Sequence, residues 1–148
     1  MARFWPILLF IAIFIFVWLQ PEKPQSETNA SEISSPQRVI SLAPSITETL
    51  FALDAGDKVV AVTDYCQYPN QVKKLPKVGG YLDPNLEQIV RLKADIVILL
   101  ERQQSLNRQL QQLGIQTLSI DNSSLTGIRN SIIDIGSAVN KVSSARHL

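Results

Sequence analysis

Four short runs of β-branched and other apolar residues recur between residues 38 and 120. They are Arg38-Val39-Ile40-Ser41-Leu42, Lys58-Val59-Val60-Ala61-Val62, Asp95-Ile96-Val97-Ile98-Leu99-Leu100 and Ile115-Gln116-Thr117-Leu118-Ser119-Ile120. Each stops where a helix-patterned segment or a polar loop begins. Apolar strands alternating with helices predict an α/β fold whose parallel sheet is covered on both faces. In such sheets ligands bind beyond the carboxyl ends of the strands, so the loops there are the place to look for function.

The helical segments follow from spacing and punctuation. Pro44-Ser45-Ile46-Thr47-Glu48 opens a helix through Leu53, with Ser45 and Glu48 in capping-box register. Gly56 is expected to end it in the left-handed conformation. Asn85 is placed to cap a short helix over 86–92, with Leu86, Ile89, Val90 and Leu92 as its apolar positions. Leu106, Leu110 and Leu113 share one face over 105–113, and Gly114 stands at the C-cap. Ile128, Ile132, Ile135 and Val139 form a stripe over 125–140. The order is βαβαβαβα with right-handed crossovers expected, and the third strand, the most apolar, is expected to be central. Residues 63–84 contain Pro69, Pro76, Pro84 and Gly79-Gly80, which exclude a regular element through most of that stretch. Its tyrosines Tyr65, Tyr68 and Tyr81 predict an ordered, contacting loop.

The N-terminus is of another kind. Residues 4–19 are almost unbroken in apolar character and follow Arg3. Positive charge before an apolar run marks an export signal or a membrane anchor, giving a segment 1–20 of one kind or the other. Thr28-Asn29-Ala30 is the nearest small-x-small sequence, and no cysteine follows the run, which argues against lipidation. Residues 21–37 are rich in Pro, Ser, Glu and Asn and read as a flexible linker. The domain is expected to occupy 38–148.

Composition narrows the function classes. A formal charge of +1 without a basic stripe argues against nucleic acid as a partner. Lys73, Lys74 and Lys77 read as solvated loop positions. The single cysteine, Cys66, excludes an internal disulfide and reads as a small filler. There is no G-x-G-x-x-G after a strand, no G-x-x-x-x-G-K and no G-x-S-x-G elbow. The one histidine, His147, is too remote for a triad or metal site, so no catalytic residue, resident metal or cofactor is assigned.

What stands out is the polar and aromatic set at the strand ends: Ala43-Pro44-Ser45, Asp64-Tyr65-Cys66-Gln67-Tyr68, Glu101-Arg102-Gln103-Gln104 and Asp121-Asn122. Tyrosines presented on such a rim suit a large, partly apolar ligand.

Five segments, 38–48 (RVISLAPSITE), 56–65 (GDKVVAVTDY), Tyr68-Pro69, 77–81 (KVGGY) and 85–90 (NLEQIV), together resemble the periplasmic substrate-binding proteins of ABC importers for cobalamin, haem and ferric siderophores. The cobalamin-binding branch is the nearest likeness. The resemblance implies a Rossmann-like lobe with a central four-stranded parallel sheet flanked by helices, preceded by an N-terminal apolar helix. It implies no enzymatic activity, an ABC permease of the inner membrane as partner, a corrinoid or metal chelate as ligand, and a periplasmic or membrane-anchored location. By position, Tyr65 and Tyr81 would line the ligand face, Pro44 and Ser45 would lie on the loop beneath, and Glu87 would dock onto the permease. Family members continue into a second lobe, so residues 38–148 would be the N-terminal lobe only, with half of the cleft and one docking carboxylate.

Blander readings stand beside these. Glu87 sits four residues before Arg91, the spacing of a solvated helix pair. Tyr65 and Tyr81 could pack the loop down, and Asp64 could simply bond within it. The competing functions are a membrane-tethered single-lobe interaction module and a small Rossmann-like enzyme acting on a nucleotide or sugar.

Overall fold

The computed structural model describes residues 35–148, and the expected signal or anchor segment and nearly all of the linker lie outside the described residues. Four strands, β1 (Val39–Ser41), β2 (Val59–Val62), β3 (Ile96–Leu100) and β4 (Thr117–Ile120), form one sheet in the order β2-β1-β3-β4. Every pairing is parallel, with Val39 beside Ile96 and Val97 beside Thr117. β3 is buried at all five positions and is one of the two inner strands, as its composition predicts. Among the described residues the α-helices are α1 (Pro44–Ala52), α2 (Leu86–Arg91), α3 (Gln104–Gln112), α4 (Leu125–Ala138) and α5 (Val142–His147).

Successive strand residues point to opposite faces, and here both faces are covered. Val39, Ile98 and Leu100 belong to one cluster with Ile46 and Leu50 of α1 and Ile135 of α4. Ile40, Val97 and Leu99 belong to the other with Ile89 of α2 and Leu106 and Leu110 of α3. The chain steps one way from β1 to β2 and the other way from β2 to β3 and β4. Crossovers running in opposed directions must lie on opposite faces if they share one hand, and α1 lies opposite α2 and α3. Strand order therefore reverses between β1 and β3, which is the topological switch point of such a sheet.

Several local expectations change. Helix α1 begins two residues earlier than a Ser45 cap would allow: Ala43 is the extended N-cap, with φ −152°, and no side chain caps it. Proline at the first helical position has its φ preset and lacks only an amide that would be unpaired anyway, so Pro44 displaces the Ser45–Glu48 capping box. The left-handed residue after α1 is Asp54, with φ 54°, and not Gly56. A side chain on Gly56 would instead run into the ring of Phe51. Asn85 does cap α2, its Oδ1 accepting from the Gln88 amide at 2.9 Å. Gly114 does take the left-handed conformation after α3, with φ 75°.

The inward side of α4 differs from the predicted stripe. Gly127, Ser131, Ile135 and Gly136 are buried, whereas Ile128 is exposed. Small residues are needed there because neighbours come close: Gly127 lies against the Asp121 carboxylate, and Gly136 against Ala145 of α5. Leu113, expected to be buried, is the C-cap residue of α3 and is exposed.

Candidate ligand-binding rim

The carboxyl ends of β1, β2 and β3 carry the site residues, and a hydrogen-bonded return of the long loop closes the rim. The Val62 amide donates to Pro76 O at 3.1 Å, Val78 N donates to Val62 O at 3.0 Å, and Asp64 N donates to Gly79 O at 3.0 Å. Residues 76–79 thus run alongside the end of β2 and deliver Gly79, Gly80 and Tyr81 to the loop that bears Tyr65. Gly79, with φ 90°, makes the turn that an L side chain resists. A Cβ on Gly80 would stand 3.8 Å from the Tyr65 ring, so the two tyrosine segments are neighbours.

The tyrosines differ in how they are held. Tyr65 is 65% exposed and Tyr68 69%, so both present ring surface to solvent. Tyr81 is half-buried and packs against the cluster that includes Ala43, Cys66 and Leu100. Its hydroxyl is buried, with no hydrogen-bond partner among the described residues. Pro44 is partly buried and Ser45 exposed at the start of α1. A cleft of about 180 Å³ beside the switch point is lined by Tyr81, Leu82, Arg102, Gln103, Ser105 and Leu106. A larger, shallower depression lined by Phe51, Asp54, Asp57 and Leu75 lies where α1 ends and β2 begins, away from this rim.

Beneath the rim is a polar network that composition did not disclose. Ser41, Thr47 and Thr63 are fully buried and Cys66 nearly so. Ser41 Oγ and Thr47 Oγ1 are 2.7 Å apart, and Thr47 Oγ1 lies 3.1 Å from Ala43 O and 3.2 Å from Cys66 Sγ. Thr63 Oγ1 is 3.3 Å from the same sulfur. Buried hydroxyls of this kind hold only when each finds a partner, and together they tie the end of β1 and α1 to the Tyr65 loop. Cys66 is thus a hydrogen-bonded anchor and more than a filler. Lys77, expected to be solvated, is half-buried and donates from Nζ to Cys66 O at 3.0 Å. The only sequence cue to the network was the presence of small hydroxyl residues among apolar ones at the strand ends.

The third loop adds another fixed point. Gln103 is 7% exposed; its Oε1 accepts from Leu100 N at 3.0 Å and its Nε2 donates to Tyr81 O at 2.8 Å. At the fourth loop, Asp121 titrates below the ordinary carboxylate value because its carboxylate accepts from the hydroxyl and amide of Ser123. Partial desolvation opposes that lowering, and Arg102 adds a weaker attraction. Arg102 itself donates to Asn122 Oδ1 at 2.8 Å.

Glu87 stands apart from this rim, on α2. It is strongly exposed and pairs with Arg91 at 2.9 Å, so the helix-pair reading of the spacing is realised while the carboxylate stays at the surface. Among the described residues no group of three or more His, Cys, Asp or Glu is placed to hold a metal ion, and no helix is long and apolar enough to cross a membrane.

Comparison with known proteins agrees with this architecture. The chain is 41% identical over 108 residues to the ABC transporter substrate-binding lipoprotein YvrC of Bacillus subtilis, covering 70% of this chain and 34% of that protein. It is 50% identical over 62 residues to a vitamin B12-binding protein of Vibrio vulnificus, covering 42% of this chain and 23% of the relative. Among solved structures, the periplasmic vitamin B12 binding protein of Vibrio cholerae superposes with a TM-score of 0.70 at 30% identity, over 76% of this chain and 45% of that one. A periplasmic haem binding protein of Pseudomonas aeruginosa superposes with a TM-score of 0.71 at 26% identity, over 76% of this chain and 41% of that one. The chain therefore spans less than half the length of each of these relatives. The profile of the periplasmic binding proteins matches residues 39–148, which is the whole sheet with all five helices; the chain belongs to the periplasmic binding protein family.

Proposed function

We propose that residues 38–148 form the N-terminal lobe of an extracytoplasmic solute-binding protein. It captures a cobalamin-like corrinoid, or an iron chelate such as haem or a ferric siderophore, and presents it to an ABC permease. The observation that carries this reading is the convergence of Tyr65 and Tyr81 at the switch-point end of the sheet, in a chain of this family. The exposed face of Tyr65 supplies flat apolar area, and the half-buried ring of Tyr81 extends it. Pro44 and Ser45 border the same rim. Binding is non-covalent, by stacking and apolar contact, and the ligand leaves unchanged. Glu87, exposed on α2, is the surface carboxylate offered to the permease.

Isothermal titration of the chain with cyanocobalamin and with haemin tests this. Saturable binding of one of them that is weakened by Tyr65→Ala and by Tyr81→Ala supports the assignment. Haemin binding without cyanocobalamin binding moves the ligand from corrinoid to iron chelate. Binding of neither, or binding indifferent to both tyrosines, removes the rim as the site. For docking, Glu87→Arg should abolish co-purification with the permease while leaving ligand binding intact; unchanged co-purification would discard that role.

A further inference from the structure

We infer that Gln103 is a positioning residue for the ligand site, setting Tyr81 against the end of the central strand β3; this rests on the reading of the rim as a ligand site. The geometry leaves its amide one orientation. The backbone N–H of Leu100 can only donate and the carbonyl of Tyr81 can only accept, so Oε1 faces Leu100 at 3.0 Å and Nε2 faces Tyr81 at 2.8 Å. The first bond closes the end of β3, a strand buried at every position. The second reaches across 22 residues of sequence to the turn at 79–84. That turn is otherwise tied to the loop after β2 through Asp64 N on Gly79 O at 3.0 Å and closed on itself through Asn85 N on Val78 O at 2.7 Å, neither bond involving Tyr81.

The Tyr81 main chain is thus tied to the switch point by one buried side chain, and that side chain also lines the cleft beside the ring. A buried primary amide that satisfies a donor and an acceptor on two separate segments fixes their relative position more firmly than apolar contact does. Prepaid ordering of this kind raises affinity by reducing what the ligand must immobilise.

Gln103→Glu separates the two bonds. It keeps an acceptor for Leu100 N and, ionised in an assay at alkaline pH, sets an oxygen where Tyr81 O had a donor. The full chain carrying Gln103→Glu should bind cyanocobalamin or haemin, whichever the wild type binds, about tenfold more weakly, the equivalent of one hydrogen bond at ~1.4 kcal/mol per decade. Hydrogen exchange should quicken in peptides covering 79–84 and stay unchanged in those covering β1 and β3. The loss should vanish when Gln103→Glu is made on a Tyr81→Ala background, because the clamp then has no ring to place. Should Gln103→Glu fail to fold, Gln103→Met, close in volume and lacking both bonds, carries the affinity comparison on the two backgrounds, with quicker exchange then expected at the end of β3 as well.

Wild-type affinity in Gln103→Glu, unchanged exchange at 79–84, or a loss of equal size on the Tyr81→Ala background would overturn this inference and leave the rim assignment standing. A wild-type chain that binds neither probe would overturn both.

Discussion

Thr47→Val probes the buried network directly, since it exchanges a hydroxyl for a methyl of nearly the same size at a site with no solvent access. The substitution removes the contacts of Thr47 Oγ1 with Ser41, Ala43 and Cys66. No partner is fully orphaned, because Ser41 Oγ keeps Ala43 O at 3.1 Å and Cys66 Sγ keeps Thr63 Oγ1 at 3.3 Å. The polar loss therefore falls near the lower end of the range, ~1–1.5 kcal/mol. Packing adds to it. A methyl carbon in place of Oγ1 would stand 2.7 Å from Ser41 Oγ, well inside the ~3.5 Å at which carbon makes favourable contact, and relieving that crowding costs about 1 kcal/mol more. The sum is ~2 kcal/mol, or a fall in Tm of about 8 °C at ~4 °C per kcal/mol for a domain of this size. Thr47→Ser keeps the hydroxyl and loses one buried methyl, at ~1 kcal/mol. Thr49→Val removes a bond to Ser45 O on the partly exposed side of α1 and should cost less than ~0.5 kcal/mol. Urea and thermal unfolding followed by far-ultraviolet circular dichroism rank the three. If Thr47→Val proved as stable as wild type, or milder than Thr47→Ser, the hydroxyl network would not be what fastens the rim.

Other substitutions test other links. Gly136→Ala sets a Cβ against that of Ala145 and 3.1 Å from Lys141 O, and should cost ~1–3 kcal/mol by forcing α4 and α5 apart, read as a lower urea midpoint. Tyr65→Ala should change stability by less than ~0.5 kcal/mol, because the ring is mostly solvated, yet weaken binding of the ligand that titrates; a loss of stability in proportion to affinity would make Tyr65 a packing residue. Asp121 has a folded-state pKa below its ordinary value. Its contribution to stability is thus complete above the unfolded pKa and is lost as pH falls through the lower folded value. Asp121→Asn should flatten the acid limb of the stability profile in that window, and a carboxyl titration at or above the ordinary value would refute the assignment.

The sheet and its layers were legible because their cause is local. Runs such as 96–100 are apolar at every position, and only a strand covered on both faces makes that composition favourable. Asn85 and Gly114 announced helix boundaries correctly because a cap and a left-handed turn each depend on one residue's own chemistry. Expectations failed where two local devices competed or a distant neighbour decided. Pro44 outranked the Ser45 cap at the start of α1. On α4, Asp121 and Ala145 press on Gly127 and Gly136, which shifted the buried side away from Ile128.

The candidate site divides the same way. From the sequence alone came the α/β class, the rim on which ligand contact should be sought, the tyrosines that stand on it and the likeness to the periplasmic binding proteins. These depend on residue type and order along the chain. Only the tertiary structure decided that Tyr65 is displayed while Tyr81 is half-buried, that Lys77 and Cys66 fasten the loop between them, and that Gln103 reaches Tyr81. Those bonds join residues brought together by the strand order β2-β1-β3-β4 and the return of the 76–79 segment. A hydrogen bond between positions 22 residues apart leaves no periodicity for a linear reading to find.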